Sequence, residues 1–203
     1  MTYNNPLHPP IKNVQCSPFS ALGSAVTNNS AHSGFISPQR RRLPQATYTP
    51  NSKWRSATGR LNQVYAPIIF DYIGYTRQGV PMQELGSRST YALAHMITGA
   101  NDLVFAHTGL QRFTLRIMWP GYSHIEWARS IEVNANGPMT RAQLGGILAM
   151  NFARFLEKIR GEVTTAPEWR ISSNGIRFDH VVLVGLHNVF EDVWQADVAI
   201  DLR

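Results

Sequence analysis

From Met1 to Asn62 the chain carries no Asp and no Glu, yet it holds seven of the 19 Lys and Arg: Lys12, Arg40, Arg41, Arg42, Lys53, Arg55 and Arg60. The remaining residues set 12 basic against 13 acidic side chains, so the net charge of +6 divides into +7 and −1. Pro, Ser, Asn, Gln, Ala and Thr dominate this first stretch, and its apolar residues follow no period. Ordering a residue costs roughly 1–2 kcal/mol in backbone entropy, which such a segment has little apolar surface to repay. The expectation is therefore a disordered cationic arm over residues 1–62, followed by one nearly neutral domain over 63–203.

The second part is close to the modal size of a single domain. Its apolar patterning is strong enough to close a core, and the chain's one cysteine, Cys16, lies in the arm. No intrachain disulfide can form, which fits a reducing compartment. The start, Met1 to Pro10, has neither the charged n-region nor the apolar core of a secretory signal, and no run reaches the roughly 18–20 apolar residues of a membrane span. Cytoplasm or nucleus is the expected location, with no membrane partner.

Within the domain, Gln63 to Ile73 is apolar and β-branched and predicts a strand, with Pro67 favouring its start or an edge. Ser87 or Ser89 followed by Tyr91 to Ile97 and Gly99 predicts a short helix over about 88–98. Asp102 to Phe105 predicts a short strand. Phe113, Leu115, Ile117 and Trp119 alternate, as do Ile125, Trp127, Ile131 and Val133, so the two segments predict an antiparallel pair. Thr140-Arg141-Ala142-Gln143 is a capping box, and Leu144, Ile147, Leu148, Phe152, Phe155, Leu156 and Ile159 recur at helical spacing, which predicts a long amphipathic helix over about 141–160. Gly145-Gly146 in its first turns signals a close neighbour, expected to be a strand of the sheet. A short strand at Trp169–Ser172, a fully covered strand at Val181–Leu186, and a half-buried one from Trp194 to Leu202 complete the pattern. The order is β-α-β-β-α-β-β. It predicts an α+β domain: a mostly antiparallel sheet with the long helix and the shorter helix packed on one face.

Catalytic motifs are sparse. There is no Gly-x-x-x-x-Gly-Lys, no Gly-x-Ser-x-Gly, and one Cys cannot build a zinc finger. No cofactor is expected. Asp179-His180 precedes the covered strand, His187 leaves it, and Glu191-Asp192 begins the next turn; His187, Glu191 and Asp192 are the candidate catalytic set. His124 and Glu126, two apart on a strand face, offer two metal-ligand positions without a third, so no metal site is assigned. Trp119, Tyr122, Trp127, Trp169 and Trp194 either build the core or form an exposed stacking platform.

In the arm, Arg40, Arg41, Arg42, Lys53, Trp54, Arg55 and Arg60 are the candidate polyanion-binding residues. Guanidinium groups match phosphate in bidentate geometry, and an indole stacks on bases. The same arginines also suit an import signal, or docking onto the protein's own domain.

Trp119-Pro120-Gly121-Tyr122, Trp127 to Val133, Thr140 to Leu144, Val181 to Val189 and Trp194-Gln195 together resemble a family of uncharacterised small intracellular proteins abundant in mushroom-forming fungi. The resemblance covers about residues 110–202 and implies no catalytic residues. The leading expectation is a non-enzymatic interaction or assembly module, self-associating through the domain, in a coat-like form at its most concrete, with the arm on nucleic acid or another polyanion. The alternatives are a small-ligand binder or enzyme with a site at the strand ends near His124 and His187, and a nuclear adaptor with Arg40–Arg42 as its import signal.

Overall fold

The computed structural model describes residues 40–49, 65–135 and 137–202. Seven strands form one mixed sheet: β1 (Arg41–Arg42), β2 (Ile68–Ile69), β3 (Val80–Pro81), β4 (Arg112–Ile117), β5 (Trp127–Glu132), β6 (Val181–Phe190) and β7 (Val193–Ile200). Among the described residues three α-helices accompany it: α1 (Met82–Ser87), α2 (Thr90–Ala94) and α3 (Arg141–Ile159). The main path is β2-β6-β7-β4-β5, with β3 also on β6 and β1 also on β7. All pairings are antiparallel except β4 with β7, which is parallel. That parallel seam joins two hairpins, β4–β5 and β6–β7, whose connection through α3 is long enough to permit it.

Helix α3 forms for the reasons its sequence gives. The Thr140 side chain accepts from the Gln143 N–H, and the Gln143 side chain reaches back to the Thr140 N–H at 2.8 Å, so two of the orphan amide groups are satisfied. Leu144, Leu148, Phe152, Phe155 and Ile159 are fully buried beneath it against the sheet, each stabilising by roughly 1.5–3 kcal/mol. Gly145 is needed because a methyl there would lie 2.9 Å from Leu85 of α1 and 3.3 Å from Phe70, just after β2. The neighbour that the glycine pair announces is thus mainly a helix. At Gly146 the nearest atom is an ordinary 3.5 Å away.

The Trp119-Pro120-Gly121-Tyr122 turn is an anchor. The Trp119 indole donates to the Trp169 carbonyl at 2.9 Å, and the Tyr122 hydroxyl accepts from the Ile171 N–H at 3.1 Å. Gly121 has φ 82°, and a side chain there would strike the backbone of Ala166. The turn therefore holds the Thr164–Ile171 segment over the end of the core.

Several expectations need correction. The strand expected over 63–73 is reduced to Ile68–Ile69, because the Asp71 carboxylate accepts from the N–H groups of Arg77, Gln78 and Gly79 and folds the following loop back on itself. Of the helix expected over about 88–98 only α2, Thr90–Ala94, is helical, with Ser89 capping it by accepting from the Ala92 N–H; α1, which ends at Ser87, precedes that range and was not expected. Asp102–Phe105 forms turns with a single bridge from Leu103 to Thr140, and Trp169–Ser172 follows a 3-10 turn over Pro167–Trp169, with one bridge from Ile171 to Ile176. All five platform aromatics, Trp119, Tyr122, Trp127, Trp169 and Trp194, are buried, so none offers an exposed stacking face.

The largest difference lies at the arm. Residues 40–49, assigned by composition to the arm, belong to the fold: Leu43 is buried in the main core and its N–H donates to Val198 at 2.9 Å. Their presence also explains why β7 lacks the wet face expected of it. Gln195 and Ala199 are buried along with their inward neighbours. Lys53, Trp54, Arg55, Arg60 and the rest of the expected arm lie outside the described residues.

The two glycines of α3 make a paired prediction. Gly145→Ala is expected to destabilise by about 1 kcal/mol, overpacking outweighing the propensity gain, while Gly146→Ala stabilises by about 0.5–1 kcal/mol. Urea denaturation of both variants checks the opposite signs.

Candidate interaction site on the outer sheet face

Strand register decides which residues meet on the face turned away from α3. In β6 and β7, His187 stands opposite Gln195 and Gly185 opposite Asp197; in β4, Arg116 stands beside Gln195. His187, Gln195 and Arg116 therefore form one cross-strand row, with Asp197 in the row next to it.

Residues 41–48 run along the open edge of β7 as a strap, with Arg42 and Tyr48 reaching this face. Alternation along the short strand sends Arg41 and Leu43 one way and Arg42 the other. Leu43 enters the core, and the Arg41 guanidinium rests 5.1 Å from the centre of the Trp169 ring. Arg42 reaches the outer face and clasps Asp197 with two nitrogens, Nε to Oδ1 at 2.8 Å and Nη2 to Oδ2. This hydrogen-bonded pairing raises the Arg42 guanidinium further above its ordinary range. The strap continues with the Gln45 amide donating to the Ala196 carbonyl at 2.6 Å. The Gln195 side chain accepts from the Tyr48 N–H at 2.7 Å and donates to the Ala46 carbonyl at 3.0 Å. Finally the Arg116 guanidinium lies 4.1 Å from the Tyr48 ring centre while pairing with Glu126 at 2.8 Å.

His187 faces the same carboxylate from the other side. Its Nε2 is 3.8 Å from Asp197 Oδ2. Gly185 makes this approach possible: a side chain there would lie 3.3 Å from that same nitrogen. Asp197 is thus flanked by a guanidinium and an imidazole.

The candidate catalytic set is not assembled. Asp192 accepts from the Thr114 hydroxyl at 2.9 Å and, through its carbonyl, from the Thr114 N–H at 2.8 Å. Glu191 is an exposed turn residue with φ 40°, its carbonyl held by the Asn188 amide at 2.7 Å. His187, Glu191 and Asp192 share no hydrogen bond or ion pair with one another among the described residues. His124 is exposed in the β4–β5 loop, 6.4 Å from the Tyr122 ring, and its expected companion Glu126 serves Arg116. Asp179 is hydrogen-bonded by Arg177, which holds its carboxyl below the usual range, and buried His180 accepts from the Arg177 N–H. Among the described residues no three His, Cys, Asp or Glu side chains gather closely enough to hold a metal ion.

Of the candidate polyanion residues, Arg41 and Arg42 are brought onto the sheet, and Arg40 borders a cleft of about 360 Å³ lined by Tyr75, Glu84 and His95. Asp197, Gln195, Arg116, Tyr48 and Leu43 escaped the sequence reading as site residues. The available signal was the run of polar residues on one face of β7, which asks for a covering element. No family model matches the chain, and no curated protein or solved structure was found to be similar to it.

If the strap is part of the folded unit, Leu43→Ala should lower stability by about 2–4 kcal/mol, as for other buried leucines. Guanidinium denaturation of the full chain is the check; a change near zero would place this segment outside the cooperative fold.

Proposed function

We propose that the protein is a non-enzymatic interaction module whose acid-free N-terminal portion contacts nucleic acid or another polyanion, while the α+β domain anchors that portion and makes protein contacts, including self-association in a coat-like assembly. The observation that carries this reading is the charge partition: seven cations and no anion over residues 1–62, against near neutrality elsewhere. Anchoring supports it. The strap ties the arginine tract to the sheet, so polyanion contact and domain position are coupled through a few residues instead of a free tail.

A catalytic alternative finds less support. Asp192, Asp197, Glu126 and Asp179 each already have a hydrogen-bond or ion-pair partner. The import-signal alternative requires Arg41 and Arg42 in a peptide free to leave the domain, whereas their backbone is paired with β7. No helix among the described residues is long and apolar enough to cross a membrane.

The test is titration of the full chain with a fluorescent single-stranded oligonucleotide between about 50 and 200 mM salt. Affinity should fall linearly on a log–log plot, and the Lys53→Ala/Arg55→Ala/Arg60→Ala variant should lose about 0.7 of slope for each phosphate contact removed. Absent binding, or equal salt-independent binding by both proteins, would overturn the proposal.

A further inference from the structure

Asp197 presents an unusual arrangement for a carboxylate on a central strand. Its side chain is only 11% exposed, yet the cation that clasps it, Arg42, is 70% exposed. A largely buried charge must keep a counter-charge nearby, because removing the partner leaves it desolvated and unpaired. Arg42 is open on its solvent side to a phosphate that would compete for the same bidentate donors. If a phosphate takes Arg42, Asp197 needs a replacement.

His187 stands where the replacement is needed. Its Nε2 is already 3.8 Å from Asp197 Oδ2, across the side-chain-free position Gly185. The charged groups facing it from the packed elements are Asp197 of β7, Arg42 of β1 and, one strand further, Arg116 of β4 with its partner Glu126. Strand β2 contributes Ile69, which is apolar. Of these, only Asp197 is a carboxylate without a second nearby cation once Arg42 is withdrawn.

We propose that Asp197 competes with the polyanion for Arg42, and that His187 takes up a proton to replace Arg42 at Asp197 when the polyanion wins. The inference rests on the polyanion reading above and adds its regulation. In the free protein Arg42 neutralises Asp197. In the bound protein the phosphate holds Arg42 and the imidazolium holds Asp197. The bound state therefore carries up to one more proton, so affinity falls as pH rises, by at most about tenfold per pH unit.

The test uses the full chain and a fluorescent oligothymidylate at constant ionic strength, at about pH 6 and about pH 8. Wild type should bind about 3–10-fold more tightly at the lower pH, inside the roughly hundredfold limit that one linked proton sets over two pH units. Asp197→Asn should bind at the higher pH about as tightly as wild type does at the lower, with this part of the pH dependence gone. His187→Gln should keep the wild-type affinity at the higher pH and lose the gain at the lower. As a readout that needs no variant of Asp197, the His187 ring proton resonances should move toward the imidazolium position when oligonucleotide is added near neutral pH. Two results would overturn the proposal while leaving the polyanion reading intact: Asp197→Asn binding no more tightly than wild type at the higher pH, or a pH dependence and His187 resonances unaffected by the exchange. An oligonucleotide that wild type does not bind at either pH overturns the polyanion reading, and this proposal with it.

Discussion

Strand β7 lies inside the sheet, and a strand in that position needs both of its edges paired or covered. On one side β6 accompanies it along its whole length. On the other, β4 runs parallel to it only from Val193 to Gln195 and then gives way to the β4–β5 loop. The backbone from Val198 to Ile200 would face water or apolar side chains were it not for Arg41, Arg42 and Leu43. That half-edge is the constraint on which the site depends. It turns a stretch that is unremarkable in composition into a structural strand, and it places one arginine on each side of the sheet.

Once the strap is seated, its chemistry follows from alternation. Leu43 fills the core and Arg41 covers Trp169, while Arg42 neutralises Asp197 on the outer face. The face is then closed by Gln195, Tyr48 and Arg116, a set of hydrogen bonds and a ring contact rather than a hydrophobic seal. Such a cover is specific in register, yet it offers polar points at which a competing ligand can intervene. Positive charge in this chain thus has two uses, holding residues 41–48 on the sheet and, in the proposed function, contacting polyanions, and Arg42 serves both. A reading based on net charge alone merges the two.

What was legible in the sequence was local or strongly periodic. The capping box at Thr140, the apolar stripe of α3 and the alternation from Phe113 to Ile117 each declare an element without help from distant residues, and the elements together define the α+β class. What was not legible depended on long-range partners. A two-residue strand at Arg41–Arg42 has no period to detect, and its stability comes from an edge about 160 residues away. The Asp71 loop clamp is similar: a carboxylate taking three N–H groups looks, in sequence, like the polar end of a strand. At the candidate site, the strand-end position of His187 is visible in sequence, but its expected partners Glu191 and Asp192 lie along the chain while the carboxylate it faces, Asp197, lies across the hairpin. The bulge between Asn188 and Phe190 shifts that pairing by a residue, so counting along the sequence does not reveal it.

The central claim is that the arginine tract is a strand of the fold and not a tail. The most direct measurement is native-state hydrogen exchange at the Leu43 amide, which donates to Val198 across the half-edge of β7. Protection comparable to that of neighbouring β7 amides is the predicted result; exchange at the rate of an unstructured peptide would contradict the account.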